Sequence, residues 1–324
     1  MRVLIFPGLA FLLALALFCD WVERKLMARM QNRMGPSYTG AAGILQPLAD
    51  YIKLFSKEVI VPRQASALLH VLSPILAFTI FVTSIFFMPI DGLNVMGNPG
   101  FEGDLLLVLV LATLAVFMIF LAGWGSSNPY SEIGAVRALV QFLGYDIPLM
   151  MFASAPAILA GSLSMITISR SQRIPFALLI PWVFVLFIIV LQAELEEDPF
   201  DVPHAETEIV AGYETEFSGG QLAFLKLSRD LQVVYGASLT VVLFLGGPLG
   251  PAPVGPAWLW STLWFSAKIL VVIVVMEAVE ASCARLRIDQ VLRGNWRLMI
   301  PLAALSLVLT ALVTPWIHGV TGSV

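Results

Sequence analysis

The sequence is poor in the residues that build redox and metal centres. Among 324 residues there are two cysteines, Cys19 and Cys283, and three histidines, His70, His204 and His318. Neither cysteine belongs to a CxxC pair, so no zinc or iron–sulfur ligand set is expected, and any redox cofactor must belong to another chain. Cys19 falls in an apolar segment, which favours two unpaired thiols over the one formally possible disulfide. Charge is scarce as well: Asp, Glu, Lys and Arg make up 12% of the chain, against 59% hydrophobic residues and a mean hydropathy of +0.89. This balance excludes an ordinary soluble domain and indicates an all-α polytopic membrane protein, read as one membrane domain over residues 1–324.

What the chain has in abundance is membrane-length apolar sequence. The opening "MRVLIFPGLAFLLALALFCD" runs directly into "WVERKLMARMQNR" with no small-residue cleavage site, so it reads as a retained first span rather than a secretory signal. A bilayer-spanning helix needs about 20 mostly apolar residues. Eight segments qualify, near Val3–Cys19, Ala67–Ile90, Leu105–Leu121, Ala138–Ala160, Ile174–Leu191, Leu231–Leu245, Trp258–Val279 and Leu298–Ile317. The sixth is short and is expected to extend backwards toward Leu222. The loops between odd and even spans hold nearly all the lysine and arginine, whereas the even loops offer only Arg170 and Arg173. Basic residues mark the cytoplasmic side, so the odd loops are expected inside and both termini outside. The first loop, 20–65, includes "GILQPLADYIKLFSKE", which groups Leu45, Leu48, Ala49, Ile52 and Phe55 on one helical face. That segment is too polar to span and reads as an amphipathic helix on the inner surface.

Negative charge gathers in the acidic loop 192–230. Its stretch "AELEEDPFDVPHAETEIVAGYETEF" carries nine carboxylates and no lysine or arginine. Pro203 suits the first turn of a helix through "HAETEIVAG", with Asp201 near its cap and Glu206 and Glu208 pointing apart. A solvated acidic loop is the plain reading. The interleaved Phe200, Val202, Ile209, Val210 and Phe217 support the other, a loop folded inward that brings carboxylates toward a cavity, with Glu194, Glu196, Glu197, Asp201, Glu206 and Glu208 as the candidates. Clustered carboxylates there would repel, raise one another's pKa values and exchange protons near neutral pH.

Ionisable groups inside spans are costly and point to a pathway or a partner. Asp146, about two turns into the fourth span and beside Pro148, reads as a proton-exchanging carboxylate; the alternative is a structural charge paired with a basic residue on another helix. Glu277 and Glu280 share one face of the seventh span near its inner end, where a solvated helix terminus is an equally good account. Lys268 faces the other way and either snorkels or pairs with another helix. Glu132 and Arg137 border the fourth span, each able to reach a different neighbour.

Several long motifs then coincide in order. They are "ERKLMARMQNRMGP" (Glu23–Pro36), "LQPLADYIKLFSKE" (Leu45–Glu58), "LAGWGSSNPYSEIGAVRALVQFLGYDIPL" (Leu121–Leu149), "PFDVP" (Pro199–Pro203), "AETEIVAG" (Ala205–Gly212), "EFSG" (Glu216–Gly219) and "RLRIDQVLRGNWRLMIPLA" (Arg285–Ala303). Over nearly the whole chain the sequence resembles the eight-span membrane subunit of respiratory complex I and of the related energy-converting membrane-bound hydrogenases. The resemblance implies a coupling subunit of an ion-pumping oxidoreductase. Its partners would be peripheral subunits carrying iron–sulfur clusters, with a NiFe centre in the hydrogenase branch, and antiporter-like membrane subunits. The lipid bilayer surrounds it, and no nucleic acid is involved. By position, Glu194, Asp201, Glu206 and Glu208 would form an acidic funnel. Arg24, Arg29, Arg33, Arg285 and Arg287 would line the interface with peripheral subunits.

Three departures bear on the branch. The chain has Glu196-Glu197-Asp198 where quinone-linked members tend to be neutral or basic. His204 replaces a usual acid, and "GQLAFLKLSRDLQVV" replaces an aromatic-rich segment. These features lean toward a ferredoxin-dependent, hydrogenase-like or sulfur-reducing-like complex, with a quinone-chamber subunit as the alternative. A stand-alone secondary transporter is the reading from another class, but no internal repeat accompanies it.

Overall fold

The computed structural model describes residues 2–204, 206–252 and 255–321, leaving aside the side chains of residues 206–207 and 317–321. Its helices are α1 (Leu9–Met30), α2 (Gln46–Ser56), α3 (Ala67–Phe86), α4 (Asp104–Gly125), α5 (Pro129–Ala160), α6 (Met165–Ser171), α7 (Phe176–Leu179), α8 (Pro181–Glu194), α9 (Glu206–Ile209), α10 (Gly219–Phe244), α11 (Ala257–Ser282), α12 (Ile288–Gly294) and α13 (Ile300–Thr321). The protein is an all-helical bundle, and each of the eight expected spans coincides with a helix or a joined pair.

Five units are long and apolar enough to cross a membrane: α3, α4, α5, α11 and the continuous stretch Ile288–Trp316. The other three depart for identifiable reasons. α1 runs eleven residues past the expected end at Cys19, because "WVERKLMARM" is rich in helix formers and Arg24 Nε bonds Asp20 Oδ1 one turn back at 2.7 Å. α10 starts at Gly219, so the acidic loop shortens to the stretch between Glu194 and Gly219. The fifth span is broken at Ile180, where Pro181 opens α8 as a first-turn residue.

Loop contacts establish alternation of the spans. At one end Ser66 N bonds Gly125 O at 2.9 Å, Ile60 N bonds Ser218 Oγ at 2.9 Å and Leu286 N bonds Pro199 O at 2.9 Å, tying the four odd loops together. At the other end Arg2 pairs with Asp91, Arg170 Nη2 reaches Gly92 O at 3.2 Å and Ser162 Oγ reaches Glu102 Oε1 at 2.9 Å. α10 is the central helix, packed by α3, α11, α1 and α2, and every residue from Leu231 to Phe244 is buried. Lipid tails are as apolar as leucine, so such packing rests on close van der Waals fit more than on exclusion of water.

Glycines set the closest approach. A Cβ on Gly134 of α5 would stand 2.7 Å from Gly212 Cα, and one on Gly123 of α4 would stand 2.7 Å from the Cβ atoms of Ala135 and Tyr213. The 3-10 turn Gly212–Glu214 is thereby seated directly on α4 and α5. α2 exists as expected, yet its apolar face is open: Leu48, Ile52 and Phe55 are exposed, while Pro47, Tyr51 and Leu54 pack inward on α1 and α10.

Candidate functional site

Two glutamines pin the acidic loop and a third braces the helix that leads into it. Gln141 Nε2 of α5 donates to the carbonyls of Ala193 and Phe200 at 2.8 and 2.9 Å, Gln232 Nε2 of α10 donates to that of Glu194 at 2.9 Å, and Gln192 Nε2 of α8 reaches Met276 O on α11 at 3.0 Å. The bonds to Ala193, Glu194 and Phe200 satisfy carbonyls at the end of α8 and in the loop that are otherwise left orphaned, while Gln192 ties α8 to α11 within its helical run. The loop is therefore folded inward, as its interleaved apolar residues imply: Phe200, Val202, Ile209 and Phe217 are all buried.

A cavity of about 730 Å³ opens at this end between α1, α2, α10 and α11. Its carboxylates come chiefly from helices: Asp20 and Glu23 on α1, Asp50 on α2, Asp230 on α10, and Glu277 and Glu280 on α11. From the acidic loop, Glu197 lines it, opposite Arg229, whose Nη2 lies 3.5 Å from both of its oxygens. Met27, Met34, Leu54 and Val233 supply an apolar wall. Glu23 lies within electrostatic reach of Glu197, Glu277, Asp230 and Asp20, so a charge change at any of these four is felt at Glu23. Tyr51 OH donates to Asp230 Oδ2 at 2.6 Å. Burial, with the Asp230 carboxylate opposite, pushes the Tyr51 hydroxyl up and keeps it a donor. Asp50 is partly buried, yet hydrogen bonds from Arg24 and Gln46 outweigh that burial and hold its carboxyl below the usual range.

The residues singled out in the sequence divide among several places. Glu197, Glu277 and Glu280 meet in the cavity. Glu194 sits behind it at the end of α8, 4% exposed, with Oε2 unpartnered among the described residues. It is within electrostatic reach of Asp146 and Glu196, and both Glu194 and Asp146 are felt by the buried Tyr235. Asp146, half-buried in α5, has the Thr113 hydroxyl at 3.5 Å, and no lysine or arginine among the described residues pairs with it. Glu196 is buried, with Tyr213 OH and His204 Nε2 each 3.4 Å from its Oε2. Asp201 lines a second cavity of about 490 Å³. Burial pushes its carboxyl up to about 6, against the opposing pull of His204, Arg229 and Arg285. The single funnel implied by the motif is thus two cavities. Glu208 belongs to neither: it is exposed and bonded to Arg137 Nη1 at 2.6 Å, an ion pair that holds its carboxyl low. The Glu206 side chain lies outside the described residues.

The arginines divide too. Arg24 faces the cavity and bonds Asp20 and Asp50 at 2.7 and 2.8 Å, and Arg33 also lines it. Arg29 and Arg287 are exposed, and Arg285 lines the second cavity while reaching Val202 O at 3.4 Å. α9 spans only four residues, shorter than the helix expected through "HAETEIVAG". Sequence reasoning missed Asp20, Glu23 and Asp230 as site residues. Their signal was present: three acids on the flanks of apolar spans, hidden because the apolar runs of α1 and α10 stop short of them while the helices continue.

The fold is thus that of an all-helical membrane protein with an acid-lined chamber at one end of its bundle. The model of the NADH dehydrogenase family matches residues 3–311. An NADH-quinone oxidoreductase subunit of Dehalococcoides mccartyi strain CBDB1 is 38% identical, covering 93% of this chain and 83% of its own length. The corresponding subunit of Thermomicrobium roseum is 38% identical over 96% of this chain and 95% of its own, and that of Geobacillus kaustophilus 36% over 95% and 92%. The chain belongs to this family of complex I membrane subunits, and so is part of an oxidoreductase complex. Membership leaves the stand-alone transporter reading without support.

Proposed function

We propose that this chain forms the quinone chamber of an NADH-quinone oxidoreductase and couples quinone reduction to ion translocation. The observation that carries the reading is the 730 Å³ cavity, which joins an apolar methionine, leucine and valine wall to a dense set of carboxylates. It lies between the first and sixth spans and the amphipathic α2, where a quinone chamber requires an opening. A hydrophobic carrier with a polar headgroup fits such a mixed lining. The relatives' names point the same way and away from the ferredoxin-dependent branch.

In this scheme electrons arrive from iron–sulfur clusters of peripheral subunits. Reducing the quinone takes two electrons and two protons. Proton loss from the lining carboxylates changes the charge felt by Glu194 and Asp146 and biases ion movement in antiporter-like neighbours. The odd loops then face the cytoplasm and both termini the outside, consistent with the basic residues there. The hydrogenase-like reading retains one supporting feature, the acid run Glu196-Glu197-Asp198 beside His204.

The test is gentle extraction of the tagged chain with its companions, metal analysis, and NADH oxidation with a short-chain ubiquinone. Iron without nickel and quinone-dependent turnover is the expected result. Stoichiometric nickel with a hydrogenase-like partner overturns the quinone assignment. In the same preparation Asp146→Asn is expected to assemble and oxidise NADH but to lose most proton translocation. Normal pumping by that variant removes Asp146 from the pathway.

A further inference from the structure

The second cavity is unused by that scheme. Asp198, Asp201 and His204 line it from the acidic loop, Glu214 from the 3-10 turn, Arg229 from α10 and Arg285 from the α11–α12 link. Glu214 and Arg229 also face the chamber, so they form a shared wall, and the remaining lining residues differ. His204 is only 9% exposed, yet it lines the cavity, and its Nε2 has no hydrogen-bond partner among the described residues. A buried ring nitrogen left without a bond is costly in a merely structural histidine. That nitrogen stands 3.4 Å from Glu196 Oε2, the oxygen that the Tyr213 hydroxyl also approaches at 3.4 Å. The imidazole packs edge-on against the Tyr213 ring, with centroids 4.7 Å apart.

Behind Glu196 the line continues inward. Glu196 has a left-handed backbone, φ 57°, which is strained for a residue with a side chain, and it is 6% exposed. Glu194, with its unpartnered Oε2, is within reach of both Glu196 and Asp146. We propose that the second cavity is a proton intake separate from the acceptor chamber, and that His204 hands protons from it to Glu196. The inference rests on the coupling function proposed above.

The chemistry needs only N–H and O–H bonds. A proton from cavity water enters the ring at Nδ1, Nε2–H passes its proton to the Glu196 carboxylate, and the neutral ring, left protonated at Nδ1, resets by exchanging tautomers with water. The cavity is polar and roomy enough for several waters. Around the ring, Glu196 and Tyr213 face it from inside. On the cavity side Asp198, Asp201 and Glu214 stand with Arg229 and Arg285.

The test uses the intact complex in proteoliposomes with a pH-sensitive dye, comparing parent, His204→Ala, His204→Gln and Asp146→Asn, with subunit content verified for each. His204→Ala and His204→Gln are expected to slow proton translocation at least roughly tenfold while substrate oxidation persists. Added imidazole is expected to restore the alanine variant, whose side-chain space it can occupy, and not the glutamine variant. Normal pumping by both variants, or an alanine defect that imidazole leaves unchanged, overturns the proposal. Should the alanine variant fail to assemble, the glutamine variant decides by its translocation rate alone. Asp146→Asn separates the two ideas: if it uncouples while the His204 variants pump normally, only the intake falls, and if it too pumps normally, the coupling reading falls with it.

Discussion

Lys268 and Asp146 are both ionisable residues inside membrane-length helices, and the protein treats them in opposite ways. Lys268 Nζ donates to the carbonyls of Leu245, Gly247 and Leu249 at 2.7, 2.9 and 2.8 Å, closing the end of α10 with the charge that a helix C-terminus favours. Asp146 has one long contact to Thr113, and Glu194 beyond it keeps an oxygen without a partner among the described residues. A saturated ion is a fastener. An under-satisfied one keeps a change of protonation within reach, because no strong bond has to break first. The difference sets a saturated charge at the far end of the bundle against under-satisfied carboxylates toward the chamber end, the condition that the proposed proton handling requires.

The comparison breaks most sharply at Lys268. Lys268→Met leaves three carbonyls without a donor and is expected to cost about 2 kcal/mol, with non-additivity and partial solvent access keeping it below the sum of three charged hydrogen bonds. Thermal inactivation of the purified complex should fall to lower temperature, with the ratio of protons moved to electrons transferred unchanged among intact complexes. A variant that melts like the parent, or one that is stable but uncoupled, contradicts a fastening role.

A smaller effect is expected from the glycine contact that seats the acidic loop. Gly134→Ala forces α5 and the Gly212–Glu214 turn apart by a few tenths of an ångström or more, because the obstacle is backbone rather than a side-chain tip. The cost is on the order of 1–3 kcal/mol, as for other overpacked cores. Since Tyr213 rides on that turn and approaches Glu196, coupling should suffer along with stability, unlike in Lys268→Met. Unchanged proton translocation by Gly134→Ala would show that the loop is not held by this contact. Much of this architecture is legible in the sequence: the apolar runs, the amphipathic α2 and the depth of Asp146 follow from composition and period. What is not legible is the site's real membership. Asp20, Glu23 and Asp230 join it only because α1 and α10 continue as helices past their apolar stretches, and helix ends are where local pattern is weakest. Likewise the nine acids of one loop look like one cluster, whereas bonds from Gln141 and Gln232, which no local pattern ties to that loop, help hold it so that its acids divide among two cavities, buried positions behind them and one surface ion pair.

The smallest effect sharpens the distinction within the acids themselves. Burial raises Asp201 to about 6, while Arg137 holds the exposed Glu208 low. A carboxyl raised on folding contributes stability that is complete below its unfolded value near 3.8 and is lost as pH climbs through 6. The acidic loop is thus expected to loosen between pH 4 and pH 7 through Asp201. Asp201→Asn removes that ionisation and should make hydrogen exchange of the loop amides slower than in the parent at pH 8, and similar at pH 4. The gain is on the order of 1 kcal/mol, because the two neighbouring guanidiniums and solvent screen much of the buried charge. Glu208→Gln should alter this profile less, since its carboxyl is exposed and Arg137 holds it low. If both substitutions shift the profile equally, the loop answers to its total charge rather than to the burial of Asp201, and the division of its acids into buried and surface groups loses its energetic meaning.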